Sequence, residues 1–147
     1  MKILSCLKKM LVITSTTLLM LASPLSLAAE NTALEQQKQP FTESVFRAAQ
    51  ADNKIILVDV WAEWCPTCAR QQDRLNDYFL ANPDSEILVL EVNYDSQKEW
   101  VSYFKAPRQS TFILFHGEEQ LWFSVAETRQ EPISSELKKA EARLSSE

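Results

Sequence analysis

The chain has 147 residues, which is room for one ordinary domain. Hydrophobic residues make up 46% of it, enough to bury a core, which argues against a disordered chain. The net charge of −5 argues against nucleic-acid binding, and the single glycine excludes glycine-rich phosphate loops.

Residues 1–28 have the pattern of a secretory signal peptide. They combine a lysine-rich start, a short apolar core over residues 11–22, and a small-x-small cleavage pattern that ends at Ala28. The apolar core is short for a membrane span, and an uncleaved anchor is the alternative. We therefore expect an exported, periplasmic protein. Cleavage would remove three lysines, no acidic residue and Cys6, which leaves a net charge of −8.

The mature chain begins with a polar segment, residues 29–40, that we expect to be a flexible lead-in. Residues 41–147 form the predicted domain. Apolar periodicity predicts these elements in chain order: a helix over 42–52, a strand over 55–61, a helix over 66–80, a strand over 87–92, a helix opened by a capping box at Ser96 and ending near 104, a strand over 111–116, a turn at Gly117-Glu118, a strand over 120–125, and a closing helix around Ile133, Leu137, Ala140 and Leu144. In the second of these helices, Leu75, Phe79 and Leu80 are expected to face the core.

Strands that alternate with helices predict an α/β fold with a mostly parallel central sheet flanked by helices. The last two strands are expected to form an antiparallel hairpin. The prediction is thus a mixed four-stranded sheet in a single domain.

The most informative segment is Cys65-Pro66-Thr67-Cys68, which follows a buried strand and opens a helix. Proline suits the first turn of a helix, where a missing N–H costs nothing. Cys65 then lies at the helix N-terminus, where backbone N–H groups and the helix dipole favour a thiolate. Cys68 lies one turn along the same face. We expect Cys65 to be an exposed nucleophile and Cys68 a buried resolving thiol.

Three alternative roles for this Cys-x-x-Cys pair are weaker. A structural zinc site needs four ligands, and the chain without its leader holds two cysteines and His116. A purely structural disulfide would close a very small loop and remove little chain entropy. Chance proximity of two buried cysteines is the remaining alternative.

The run IILVDVWAEWCPTC and the elements that follow it resemble the thioredoxin family over roughly residues 41–145. The resemblance implies a three-layer α/β/α thioredoxin-like fold and thiol–disulfide exchange. It implies that Asp59 is the buried acid that assists deprotonation of Cys68. Trp64 matches the aromatic residue before the first cysteine. We expect substrate contacts from Trp64, Pro66, Thr67, Ser110 and Thr111.

Three positions depart from the family pattern. Ser110 stands where the family has a cis-proline, and a cis bond before a non-proline residue is costly, so we expect a trans bond there. The neighbouring backbone could still pair with an extended substrate. Glu91 stands where many members have a lysine, and if it lies near Asp59 it should raise the Asp59 pKa. Pro66-Thr67 lacks the histidine of strong oxidants, which favours a reductant.

The predicted function is therefore a thiol–disulfide oxidoreductase that acts on exported proteins, more as a reductant than as an oxidase. The cysteines are themselves the redox centre, so no organic cofactor and no metal is expected. The resemblance implies protein disulfide substrates and a membrane electron-transfer partner of the thiol:disulfide interchange type. The alternatives are a disulfide-forming oxidase and a non-catalytic chaperone or soft-metal-binding module.

Overall fold

The computed structural model describes residues 32–144, so the predicted signal peptide lies outside the described residues. Within this range the elements are α1 (Ala33–Gln37), β1 (Lys38–Pro40), α2 (Glu43–Ala51), β2 (Ile55–Trp61), α3 (Pro66–Ala81), β3 (Leu88–Asn93), α4 (Lys98–Tyr103), β4 (Thr111–His116), β5 (Glu119–Val125) and α5 (Gln130–Leu144). Between residues 32 and 144, no helix has the length and apolar character that a membrane crossing requires.

The strands of the described region form one mixed sheet in the order β1-β3-β2-β4-β5. Strands β1, β3 and β2 run parallel, whereas β4 is antiparallel to β2 and β5 is antiparallel to β4. The four predicted strands are confirmed, including the final hairpin. The sheet has one strand more than predicted, because β1 adds a fifth at its edge.

Residues 33–40, which belong to the segment 29–40 expected to be a flexible lead-in, instead form α1 and β1 in the structure. The side chain of Thr32 caps α1 by accepting a hydrogen bond from the backbone N–H of Glu35 at 3.3 Å. Leu34 is buried in the main core, and Lys38 of β1 pairs in parallel register with Val89 of β3. The burial of Leu34 and the pairing of β1 with the edge of β3 therefore hold this polar segment against the domain.

The two faces of the sheet carry separate hydrophobic cores. On one face, α1, α3 and α5 pack over side chains such as Leu57, Val89 and Phe112. On the other face, α2 and α4 pack over side chains such as Val58 and Ile113. The odd and even positions of the strands thus divide between two helical layers, as strand geometry requires. The predicted three-layer α/β/α arrangement is confirmed.

Two local predictions differ from the structure. Leu80 is exposed on α3, and Tyr78 is buried in its place, because the inward stripe runs through residues 75, 78 and 79. The capping box at Ser96 is not formed: α4 begins one residue later, after Gln97, which makes no side-chain cap. The side chain of Asn93 instead accepts the Ser96 N–H at 3.0 Å, so it organises the turn before the helix.

Candidate active site

The two cysteines lie where β2 ends and α3 begins. Cys65 is the N-cap of α3, and Pro66 occupies the first turn. The Sγ atoms of Cys65 and Cys68 are at disulfide-bonding distance, and their Cα atoms are 5.3 Å apart. The backbone N–H of Cys68 donates to Cys65 Sγ at 3.1 Å. A sulfur in this position receives both a hydrogen bond and the positive end of the helix dipole, which favour a thiolate.

Both cysteines are buried, which corrects the expectation that Cys65 is exposed. The exposed fraction is 3% for Cys65 and 2% for Cys68. The turn folds back on itself, with the Cys65 N–H donating to the carbonyl of Ala62 at 3.1 Å. Trp61 and Tyr94 pack against the buried cluster of Ala62, Cys65 and Cys68. The sequence identifies the helix start, but it does not show how closely the surrounding residues cover the sulfur.

Ser110 lies directly against the dithiol. Its hydroxyl oxygen is 3.1 Å from Cys65 Sγ and 3.1 Å from Cys68 Sγ, and its side chain is fully buried. Ser110 has a backbone φ of 61°, in the left-handed region. Its N–H donates to the carbonyl of Val60 at 2.7 Å, and its carbonyl accepts from the N–H of Ala126 at 2.7 Å. The backbone groups of Ser110 are thus engaged within the fold rather than presented to an added strand.

Thr111 is also buried, and its hydroxyl donates to the carbonyl of Arg108 at 2.7 Å. The amide of Gln71 on α3 donates to the carbonyl of Ser110 at 3.4 Å and to that of Glu127 at 2.9 Å. These contacts connect the loop before β4 to α3. A substrate would meet this loop through its outer surface, since the side chains of Ser110 and Thr111 face inward.

Asp59 lies in the middle of β2 and is paired in parallel register with Glu91 of β3. Asp59 is buried, and within residues 32–144 its carboxylate oxygens have no hydrogen-bond partner. Glu91 is well supplied with donors: its Oε1 accepts from Lys38 Nζ at 3.2 Å and from Gln72 Nε2 at 2.8 Å. Lys38 also forms an ion pair with Glu35 at 2.8 Å.

The pKa of Asp59 is raised from 3.8 to about 7, mainly because the carboxyl group is buried and also because of the negative charge of Glu91. Gln72 and the Lys38 ammonium act in the opposite direction. The proximity of Glu91 to Asp59 that the sequence suggested is therefore present in the structure. A carboxyl group with a pKa near 7 can take up or release a proton at neutral pH, as proton-transfer groups in active sites do.

The outer surface beside the cysteines is formed by Trp64, Pro66 and Thr67. Trp64 is 60% exposed, Pro66 is exposed and Thr67 is half-buried. The indole Nε1 of Trp64 donates to Asp95 Oδ2 at 2.7 Å, which fixes the ring on the surface. These three predicted residues thus lie on the surface beside the two cysteines.

Four residues around the site were not singled out from the sequence: Lys38, Gln71, Gln72 and Asp95. Lys38 lies on a strand in a segment predicted as coil, so nothing indicated that it would reach Glu91. Gln71 and Gln72 follow Cys68 by three and four residues, a spacing that places them on or near its face of α3. That spacing was the one signal that could have identified them. Across residues 32–144, no group of three or more His, Cys, Asp and Glu side chains is arranged to hold a metal ion.

A dithiol at the start of a helix, with a buried carboxyl group on the strand that leads into it and a mixed sheet between helical layers, defines a thioredoxin-fold oxidoreductase site. The thioredoxin family model matches residues 33–139. A solved structure of Trxlp from Edwardsiella tarda is 35% identical, with a TM-score of 0.64, over 68% of this chain and 97% of that one.

Curated relatives agree with this assignment. Thioredoxin of Alicyclobacillus acidocaldarius is 34% identical over 76 residues, which is 52% of this chain and 71% of that protein. Thiol:disulfide interchange protein DsbE of Yersinia pestis is 35% identical over 77 residues, which is 51% of this chain and 38% of that protein. The chain belongs to the thioredoxin family, and its Cys-x-x-Cys pair makes it a thiol–disulfide oxidoreductase.

Proposed function

We propose that this protein is an exported reductant of disulfides in other exported proteins. The observation that carries the exchange chemistry is the position of Cys65 Sγ, which caps α3 and accepts the Cys68 N–H at 3.1 Å. Cys65 is the attacking thiolate: it breaks a substrate disulfide, forms a mixed disulfide and releases one substrate thiolate. Cys68 then attacks Cys65 Sγ, frees the second substrate thiolate and leaves the Cys65–Cys68 disulfide.

Asp59 is assigned as the proton acceptor for Cys68. A resolving cysteine must lose its proton before it attacks, because the thiolate is the nucleophile. Asp59 is buried, has no hydrogen-bond partner within the described residues, and has a pKa of about 7. Such a group is in part ionised at neutral pH and can take the proton as the mixed disulfide is resolved.

Substrate contact is assigned to the surface of Trp64, Pro66 and Thr67. The exposed indole of Trp64, held by Asp95 at 2.7 Å, offers a flat apolar face next to the cysteines. A protein disulfide approaching the dithiol must pass this surface. Ser110 and Thr111 are buried, so in this proposal they shape the inner wall of the site rather than contact the bulk of the substrate.

The reducing direction and the export are supported by sequence features. Pro66-Thr67 lacks a histidine between the cysteines, and the pattern of residues 1–28 is that of a secretory leader. One relative is named a thiol:disulfide interchange protein. A reductant in an oxidising compartment must be recharged, so the proposal includes a membrane electron-transfer partner of the interchange type.

The direction is tested by equilibrating a chain that begins at residue 29 against glutathione. A reduction potential near that of thioredoxin, about −270 mV, is expected for a reductant. A value near about −120 mV would identify an oxidase and overturn the proposed direction. Export is tested separately, by fractionating cells that produce the full chain, and recovery of the protein in the cytoplasm alone would overturn it.

The chemistry is tested by reduction of insulin in the presence of dithiothreitol. Cys65→Ser should abolish activity, whereas Cys68→Ser should accumulate a mixed disulfide that a gel can detect. An inactive wild-type protein that keeps one copper ion per chain after dialysis would favour the soft-metal-binding alternative. The matched control is Ser102→Ala, an exposed hydroxyl on α4, which should leave the activity unchanged.

A further inference from the structure

The hydroxyl of Ser110 is placed between the two sulfurs of the dithiol. Its oxygen lies 3.1 Å from Cys65 Sγ and 3.1 Å from Cys68 Sγ, and the side chain is fully buried. A hydroxyl has one hydrogen to donate and lone pairs with which to accept. It can therefore serve both sulfurs at once when one is a thiolate and the other a thiol.

We infer that Ser110 is a catalytic residue whose hydroxyl donates to the Cys65 thiolate and accepts from the Cys68 thiol, and so stabilises the reduced dithiol with one negative charge. This inference rests on the thiol–disulfide exchange assigned to the site. Ser110 undergoes no change in electron count or net protonation. It favours the arrangement in which the negative charge is on the Cys65 sulfur, which attacks the substrate first. The proton then stays on Cys68, which attacks only in the second step.

The backbone around Ser110 holds the hydroxyl in this position. The φ of 61° directs the side chain toward the dithiol, and the Ser110 N–H and carbonyl are tied to Val60 and Ala126, each at 2.7 Å. The Gln71 amide adds a third contact at 3.4 Å. A left-handed conformation in a residue other than glycine carries a backbone cost, which these contacts offset.

The hydrogen bond favours the reduced state over the disulfide. A hydrogen bond to an ionised acceptor is roughly twice as strong as one between neutral groups, and a neutral sulfur is a weak acceptor. Ser110 therefore stabilises the thiolate of the reduced protein more than it stabilises the disulfide. The Ser110 hydroxyl therefore gives the Cys65–Cys68 pair a less negative reduction potential than the pair would have without it.

The test compares Ser110→Ala and Ser110→Gly with the wild type in two measurements. The absorbance of the Cys65 thiolate as a function of pH should show a titration midpoint about one unit higher in both variants, a tenfold loss of acidity. The equilibrium with glutathione should shift roughly tenfold toward the disulfide form of the variants, which corresponds to about 30 mV more negative.

The two variants separate the hydroxyl from the backbone. Alanine keeps the strain of a positive φ and glycine relieves it, so the two variants should differ in stability. If the hydroxyl is responsible, Ser110→Ala and Ser110→Gly should show the same shift in the thiolate titration and in the glutathione equilibrium. Ser102→Ala is the control, because it removes an exposed hydroxyl on α4 that makes no hydrogen bond to either sulfur. It should leave both redox measurements unchanged.

These substitutions leave the charged and titratable side chains of the elements around the dithiol in place. They include Asp59 on β2, Glu63 on the turn, Arg70, Asp73, Arg74 and Asp77 on α3, Tyr94 after β3, Arg108 before β4 and Glu127 after β5. The inference would be overturned if both Ser110 variants had the titration midpoint and the reduction potential of the wild type. It would also be overturned if the shifts differed between the two variants in step with their stabilities. If Ser110→Ala does not fold, Ser110→Gly decides. A wild-type protein that does not equilibrate with glutathione would instead contradict the exchange activity itself.

Discussion

Asp59 and Glu91 are register partners on adjacent parallel strands, on the face of the sheet that α1, α3 and α5 cover. The two carboxyl groups differ in their surroundings. Glu91 accepts hydrogen bonds from Lys38 and Gln72, whereas Asp59 has no such partner within the described residues. Because Asp59 lacks donors in the described structure that would stabilise its charged form, its burial next to another acid raises its pKa.

Removing the charge of Glu91 should lower the pKa of Asp59. In Glu91→Gln the fall should be about one unit, because a like charge on the adjacent strand is lost. The measurement is the carbon chemical shift of the Asp59 carboxyl group as a function of pH. Lys38→Met should move the same pKa upward, since Lys38 lowers it in the wild type. Glu86→Gln, at an exposed site, is the control, and an unchanged Asp59 titration in Glu91→Gln would contradict the prediction.

Asp59 should destabilise the folded protein at neutral pH. Its pKa is about 7 in the fold and 3.8 without burial, so between these values the folded state holds a proton that the unfolded state has lost. The free energy of unfolding should therefore fall as pH rises from about 4 to about 7, by roughly 4 kcal/mol from this group.

Asp59→Asn should remove this dependence and be more stable than the wild type at pH 8, with a much smaller difference at pH 4. Urea unfolding of the disulfide form at both pH values measures it. Asp73→Asn, on the exposed side of α3, provides the comparison. Equal pH dependence in the wild type and Asp59→Asn would refute the raised pKa.

The segment before residue 41 should contribute to stability. Leu34 is buried in the main core, and Lys38 joins β1 to Glu91. A chain that begins at residue 41 should unfold at lower urea than one that begins at residue 29, with a loss of at least about 2 kcal/mol. Leu34→Ala in the longer chain should show much of the same loss. Coincident unfolding curves for the two chain lengths would show that α1 and β1 add nothing.

The Trp64–Asp95 hydrogen bond should affect substrate handling and leave the potential unchanged. It orients an exposed indole, and neither group hydrogen-bonds a sulfur in the described structure. Asp95→Ala should lower kcat/KM for insulin reduction by roughly two- to tenfold. Asp95→Asn keeps an acceptor oxygen and should recover most of the rate. A change in the glutathione equilibrium in Asp95→Ala would show that the contact acts on the dithiol instead.

The parts of the fold with strong local signals could be predicted from the sequence. The run from Ile55 to Trp61 is apolar except for Asp59, and the structure gives β2 the same bounds. Pro66 marks the start of α3 because proline suits a first turn, and the helix begins there. These signals are local, so the cysteine pair and the buried acid were placed correctly in the fold.

The features that depend on distant contacts could not be predicted in this way. The β1 strand has three residues, and its order comes from pairing with β3 and from the contact of Lys38 with Glu91. The burial of Cys65 depends on Tyr94 and Ser110, which are far away in sequence. The position of the Ser110 hydroxyl depends on a positive φ that no residue pattern indicates.

The brevity of β1 has a consequence for how molecules of this protein meet one another. An outermost strand with unpaired backbone groups can recruit a strand from another chain and begin aggregation. Here that strand spans only Lys38–Pro40 and ends in a residue that has no N–H to offer. The edge of the sheet formed by β1 is therefore poorly suited to intermolecular strand pairing.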